Sequence, residues 1–281
     1  MNPLLDNGKS LSFVSIFSQL AWGLGYFGMP HILIRFMAIR SEREVKKSRC
    51  IAIAWVLISL TASCVLGIIG RAYFMDKPLA NPESVFIKMI QDIFTSHIGI
   101  PFIGGLLLCG ILAAIMSTAD SQLLVTASSI SEDVYKGVIN KKASDKSMLW
   151  VSRITVIAVS IVAFVIALDP NSSVMGLVSN AWAGFGATFG PVILLSLFWK
   201  RANFPGAAAG MIAGGLTVVL WDYVKLGGET LAARTGLYSL VPGFALGLVL
   251  MIAVSLFTKK PSKEIEEDFE AVAAKQIELA E

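Results

Sequence analysis

The chain has 281 residues, of which 55% are hydrophobic and only 15% charged, with a formal net charge of +3. Soluble domains carry about 25% charged residues, so this balance argues against a soluble enzyme or a nucleic-acid-binding domain and points to a membrane protein. Cys50, Cys64 and Cys109 lie in or beside apolar stretches, with no spacing for a metal, a redox pair or a disulfide framework. His31 and His97 cannot build a zinc site alone, and no catalytic or phosphate-binding motif is present, so no enzymatic activity is expected.

The N-terminal MNPLLDNGKS is not a signal peptide, because Asp6 interrupts it and the apolar stretch beyond is long and lacks a small-residue cleavage site. A membrane span needs about 20 apolar residues. Seven stretches meet this, at about 11–34, 51–74, 98–127, 150–168, 173–199, 206–224 and 236–257.

The first stretch contains AWGLGYFGMPHILIRF, with Trp22, Tyr26 and Pro30 repeating every fourth residue along one slowly drifting stripe. Gly23, Gly25, Gly28 and Pro30 weaken the same helix near its middle. Broken helices at the bilayer midplane expose backbone groups to substrates in many secondary transporters. An aromatic stripe beside such groups suits a small, partly apolar zwitterion. Close packing through small residues is the competing explanation.

The links at 38–50 and 132–149 are rich in Lys and Arg, as are the residues following the fifth and seventh spans. The alternate links, including the one at 169–172, are poor in them. The positive-inside rule therefore predicts an external N-terminus and a cytoplasmic C-terminus. Within the external link at 75–97, residues 82–94 have an amphipathic helical pattern and are expected to pack over an outer mouth.

The third stretch carries Ser117, Thr118, Asp120, Ser121 and Gln122 in its second half. Polar groups at membrane depth are costly and mark functional sites. Ala114, Ser117 and Thr118 stand at i, i+3 and i+4, so a backbone carbonyl and two hydroxyls share one face. Oxygen sets of this kind suit a hard cation. Stripping a small cation of water costs tens of kcal/mol in a low-dielectric medium unless its oxygen shell is replaced. Three oxygens do not complete such a shell, and no other span offers an equal set. Together with the external N-terminus, this suggests the C-terminal part of a longer ion-coupled transporter. The hydroxyls could instead bond back to the preceding turn and do nothing more. Asp120, with Ser121 beside it, either forms a second ion or proton site or lines an inner vestibule.

In the fifth stretch GFGATFG lacks a preceding strand, so a nucleotide loop is not expected; helix packing is the default reading, with Trp182 and Phe185 in an outer lid as the alternative. The tail after Pro261 is charged and helical in composition, and reads as a solvated cytoplasmic helix.

Residues 22–38, 110–136 and 176–201 carry long, ordered matches through which the chain resembles the solute:sodium symporter family, and within it the proline-transporting branch. The resemblance implies an all-α integral membrane protein of about seven transmembrane helices. Residues 1–201 would form the second five-helix repeat of a leucine-transporter-type inverted-repeat fold. Residues 202–258 would add two peripheral helices, and 259–281 a charged cytoplasmic tail. It further implies sodium-coupled symport of L-proline across the bacterial plasma membrane, with sodium on Ala114, Ser117 and Thr118 and proline on Trp22, Tyr26 and Pro30. The N-terminal half of the transporter would be the missing partner. Alternatives are symport of another small carboxylate or amino acid, or a non-transporting membrane sensor or interaction fragment.

Overall fold

A computed structural model describes residues 5–6, 9–10, 12–169 and 173–278. Of the predicted link at 169–172 only Asp169 falls among them, and most of the N-terminal decapeptide also lies outside the described residues. A two-residue ladder pairs β1 (Leu5–Asp6) with β2 (Lys9–Ser10). Then follow α1 (Phe13–Leu20), α2 (Trp22–Gly25), a 3-10 turn at Tyr26–Gly28, and α3 (Pro30–Met37). Next come α4 (Glu42–Tyr73), α5 (Val85–Gln91), α6 (Pro101–Ser128) and α7 (Asp145–Ala167). The chain continues with α8 (Val174–Phe198), α9 (Phe204–Tyr223), a small hairpin of β3 (Lys225–Leu226) and β4 (Glu229–Thr230), α10 (Leu231–Thr235), α11 (Leu240–Phe257) and α12 (Lys263–Glu278).

Six helices among the described residues are long and apolar enough to cross a membrane. The first predicted stretch is not among them, because it is divided. At Ala21 the backbone stays helical and only tightens, Leu24 N–H bonding at 2.9 Å to the Ala21 carbonyl three residues back. At Met29 the helix ends, with φ −83° and ψ 113°. Pro30 causes this: its ring pushes the preceding residue out of the helical region, and its lack of an N–H fits it to the first position of a new helix.

Two predicted links are shorter than the charge pattern suggested. The helix α4 begins at Glu42, so Lys46, Lys47 and Arg49 ride on its first turns. The third span runs from Pro101 without interruption to Ile139, its last 11 residues π-helical. Both are charged helical extensions of a span, and charge alone does not distinguish these from a loop.

The described chain divides into two compact units, one of residues 1–38 with 175–281 and the other of 39–174. In the first, Ala183, Ala187, Leu240 and Phe244 are buried in a common core with Trp182 and Met29. The tightest packing joins α9 and α11 through glycines spaced four apart. A Cβ on Gly210 would meet the Gly247 carbonyl oxygen at 2.9 Å, and one on Gly247 would meet that of Gly210 at 3.1 Å. Small residues at this spacing let helix backbones approach where lipid supplies no hydrophobic drive. Asn203 opens α9 by accepting the Gly206 N–H at 2.9 Å.

In the second unit α5 packs against both α4 and α6, burying Met89 and Ile90. The amphipathic helix expected at 82–94 is thus present, as a 3-10 turn at Pro82–Ser84, α5, and a π-helical continuation at Asp92–His97. The far end of α6 packs on α7, with Ala127, Ser131 and Thr155 buried.

Candidate functional site

The oxygen cluster lies on α6. Ser117 is 16 residues beyond Pro101, the first residue of the helix, about 24 Å along its axis at 1.5 Å per residue. Ser117 Oγ donates to the Ala114 carbonyl at 3.0 Å, and Thr118 Oγ1 donates to the same carbonyl at 3.2 Å. Three oxygens therefore converge on one exposed patch of helix. The back-bonding alternative is realised as geometry, but it does not exhaust the hydroxyls. Each spends its proton on Ala114 and keeps lone pairs free to accept. A cation bound to all three oxygens would require both hydroxyls to turn their protons away from it. That exchange gives up two bonds of about 1 kcal/mol each.

One turn on, Ser121 Oγ donates to the Ser117 carbonyl at 2.9 Å, and Thr126 Oγ1 to that of Gln122 at 2.9 Å. Hydroxyls thus line α6 past the cluster. Asp120 is exposed, on the same helical segment.

The aromatic stripe belongs to the other unit. The indole of Trp22 stacks on Trp182 with ring centres 5.5 Å apart and on Tyr238 at 5.8 Å. Tyr26 meets Trp182 edge-on at 4.9 Å. The Trp182 Nε1 donates to the Trp22 carbonyl at 3.0 Å, so α8 supplies a donor to the loosened backbone. Trp182 is buried in the core, while Tyr26 is half exposed and Pro30 half-buried. The default packing reading of α8 therefore holds for Trp182, whereas Phe185 remains substantially exposed.

The glycines of this segment separate by role. A Cβ on Gly25 would fall 2.0 Å from Trp182 Nε1, and one on Gly28 2.3 Å from the Phe185 carbonyl oxygen. Gly23 faces open space. Breaking the helix also changes which backbone groups pair. Pro30 has no N–H for the Tyr26 carbonyl, and Ile32 gives its N–H to Met29 at 3.0 Å instead of to Gly28.

Two polar arrangements escaped the sequence reading. Ser239 Oγ donates to Asp222 Oδ2 at 2.6 Å, joining the start of α11 to the end of α9. Nearby, Tyr238 O–H donates to the Ser179 carbonyl at 2.7 Å. In the second unit Tyr73 O–H donates to Asp92 Oδ2 at 2.7 Å beside His97. All three pairs join residues 17 or more apart in sequence, and no local motif signals them.

Long apolar helices, a proline-broken segment and an oxygen cluster at mid-span define a multi-pass, all-α membrane protein. The chain belongs to the sodium:solute symporter family, whose model matches residues 5–214. It is 47% identical over 266 residues to the osmoregulated proline transporter OpuE of Bacillus subtilis (strain 168), covering 94% of this chain and 52% of that one. It is 44% identical over 271 residues to the sodium/proline symporter of Escherichia coli (strain K12), covering 94% and 51%. The chain thus spans about half the length of the curated relatives it matches. No solved structure matches it.

Proposed function

We propose that this chain forms the C-terminal part of a sodium-coupled symporter of L-proline in the bacterial plasma membrane, with its C-terminus in the cytoplasm. The observation that carries the reading is the 44% identity, over 94% of the chain, to a protein named a sodium/proline symporter. In this reading residues 1–201 form the second five-helix repeat, residues 202–258 are peripheral, and 259–281 are a solvated tail.

Sodium binds at Ala114 O, Ser117 Oγ and Thr118 Oγ1, and the remaining ligands come from the half of the transporter that this chain does not span. The convergence of these three oxygens on one exposed face of α6 supports the assignment. Proline is held by Trp22, Tyr26 and the backbone beside Pro30. Asp120 and Ser121 line the inner path by which sodium leaves. Sodium favours the outward-open state, proline closes the outer gate, and release follows on the inside. One charge crossing about 100 mV supplies about 2.3 kcal/mol, enough for roughly 50-fold accumulation before any sodium gradient is counted.

The test is proline uptake into vesicles that contain this chain together with the N-terminal half of a relative. Uptake should rise with external sodium and collapse when the membrane potential is dissipated. Uptake indifferent to sodium would overturn the coupling.

A further inference from the structure

The ends of α8, α9 and α11 meet in a groove of about 450 Å³, lined by Trp199, Lys200, Phe204, Lys259 and Lys260, with Ile265 and Phe269 of α12 along one wall. We infer that this groove is a binding site for the phosphate of an anionic lipid headgroup, a role independent of sodium and proline.

The groove lies where three membrane-spanning helices end, at Phe198, Phe204 and Phe257, and so at the boundary between hydrocarbon and water. Its aromatic rim fits that depth. Phe204, in the groove's lining, is 85% exposed, and Phe257, the last residue of α11, is 91% exposed, as suits side chains at a membrane interface. Charge supplies the second half of the recognition. Lys200, Lys259 and Lys260 all line the groove, and among the described residues Lys259 and Lys260 carry no ion pair.

The lysines are held in place by the backbone beneath them. Arg201 Nη2 donates to the Thr258 carbonyl at 2.7 Å, and Asn203 Nδ2 donates to the Lys259 carbonyl at 2.7 Å and to Thr258 Oγ1 at 2.8 Å. Arg201 thus answers the acceptors at the end of α11, and the two lysines that follow are presented from a pinned backbone. Preorganisation of this kind lowers the entropy lost on binding.

An anion already uses part of the site. Lys200 pairs with Glu270 and with Glu266, the latter at 3.8 Å, which lays α12 against the groove. The tail carboxylates therefore compete with the headgroup for the same cation. Basic pockets between transmembrane helices are a recurrent way to hold anionic headgroups, with each Lys near such a surface worth about a fivefold gain in affinity.

The experiment is native mass spectrometry of the full 281-residue chain in detergent, titrated with phosphatidylglycerol and with phosphatidylcholine of the same acyl chains. The expected result is preferential retention of phosphatidylglycerol. The double variant Lys259→Gln with Lys260→Gln should weaken that retention about 25-fold and leave phosphatidylcholine unaffected. The pair Glu266→Gln with Glu270→Gln should strengthen it, a change of opposite sign that misfolding does not produce. Equal retention of the two lipids, or no loss in the lysine variant, overturns the site. Inorganic phosphate bound with the same lysine dependence, while phosphatidylglycerol gains nothing over phosphatidylcholine, assigns the groove to a free anion and overturns the lipid.

Discussion

The long helices of the unit that carries the aromatic stripe and those of the unit that carries the oxygen cluster are buried to very different extents. The most apolar windows of α8, α9 and α11 are 28%, 28% and 33% buried, against 0% for α4 and 6% for α6 and α7. The first group builds its own core from glycines and stacked aromatics. The second relies on its backbone ladder and on an apolar surface suited to lipid. On α6, however, the same exposed surface carries Ser117, Thr118 and Asp120. Polar side chains at that depth are expensive against lipid. Each candidate site therefore inherits the character of its surroundings. Trp22 is held in a stack with two other rings, whereas among the described residues Ser117 and Thr118 bond only within the local turn.

The sharpest test of this contrast is the pair Ser117→Ala with Thr118→Ala. Interactions of a neutral oxygen with a charged group are worth about 1.5–3 kcal/mol each. Removing both should raise the half-saturating sodium concentration for proline uptake by at least about 100-fold. Thermal unfolding should stay where it was, since among the described residues the two hydroxyls bond only to the Ala114 carbonyl of their own helix. Uptake with unaltered sodium dependence would move the ion site elsewhere.

Glycines test the other side of the comparison. Gly28→Ala drives a Cβ against the backbone of α8, which cannot yield as a side chain tip can. It should destabilise by about 3 kcal/mol or more. Gly23→Ala, five residues away, meets nothing and should be neutral or stabilise by up to about 1 kcal/mol. Thermal unfolding in detergent reads both. Equal effects at the two positions would deny that packing separates them.

A smaller effect is expected at the aromatic stripe. Trp22→Ala should raise the KM for proline and lower the unfolding temperature together, because Trp22 stacks on both Trp182 and Tyr238. Tyr26→Ala, at a half-exposed ring, should raise KM by about three- to tenfold with a lesser loss of stability, in keeping with about 0.5–1.5 kcal/mol for an aromatic contact. An unchanged KM in both variants takes the stripe out of the pocket.

Much of this was legible in the sequence, for physical reasons that differ from residue to residue. Pro30 fixes its own φ and constrains Met29, so the break in the first stretch was local and readable. The meeting of Ala114, Ser117 and Thr118 follows from helical periodicity alone. The partition of the glycines was not readable, since Gly23 and Gly25 differ only in what α8 places against them. Nor was the hydrogen bond of Trp182 to the Trp22 carbonyl, that of Ser239 to Asp222, or the pinning of Lys259 by Asn203, each of which needs the tertiary fold to join distant segments. The charged helical extensions at 42–50 and 132–139 look like links in the sequence, because lysine and arginine mark the membrane surface without saying whether the backbone there is still helical.

The smallest expected effect concerns Lys200, which among the described residues ties α12 by charge to the end of α8. The hydrogen bond from Lys200 to Glu270 holds the lysine above its ordinary range. A cation whose pKa is raised by folding contributes stability that is present at neutral pH and lost as the pH climbs through the raised value. Because the pair is exposed, the contribution is small and screened by salt. Lys200→Gln should speed proteolytic release of the tail by less than about tenfold at low ionic strength and by almost nothing at 1 M salt. Release that is insensitive to both salt and this substitution would mean that Ile265 and Phe269, packed along the groove, hold α12 without help from the ion pairs.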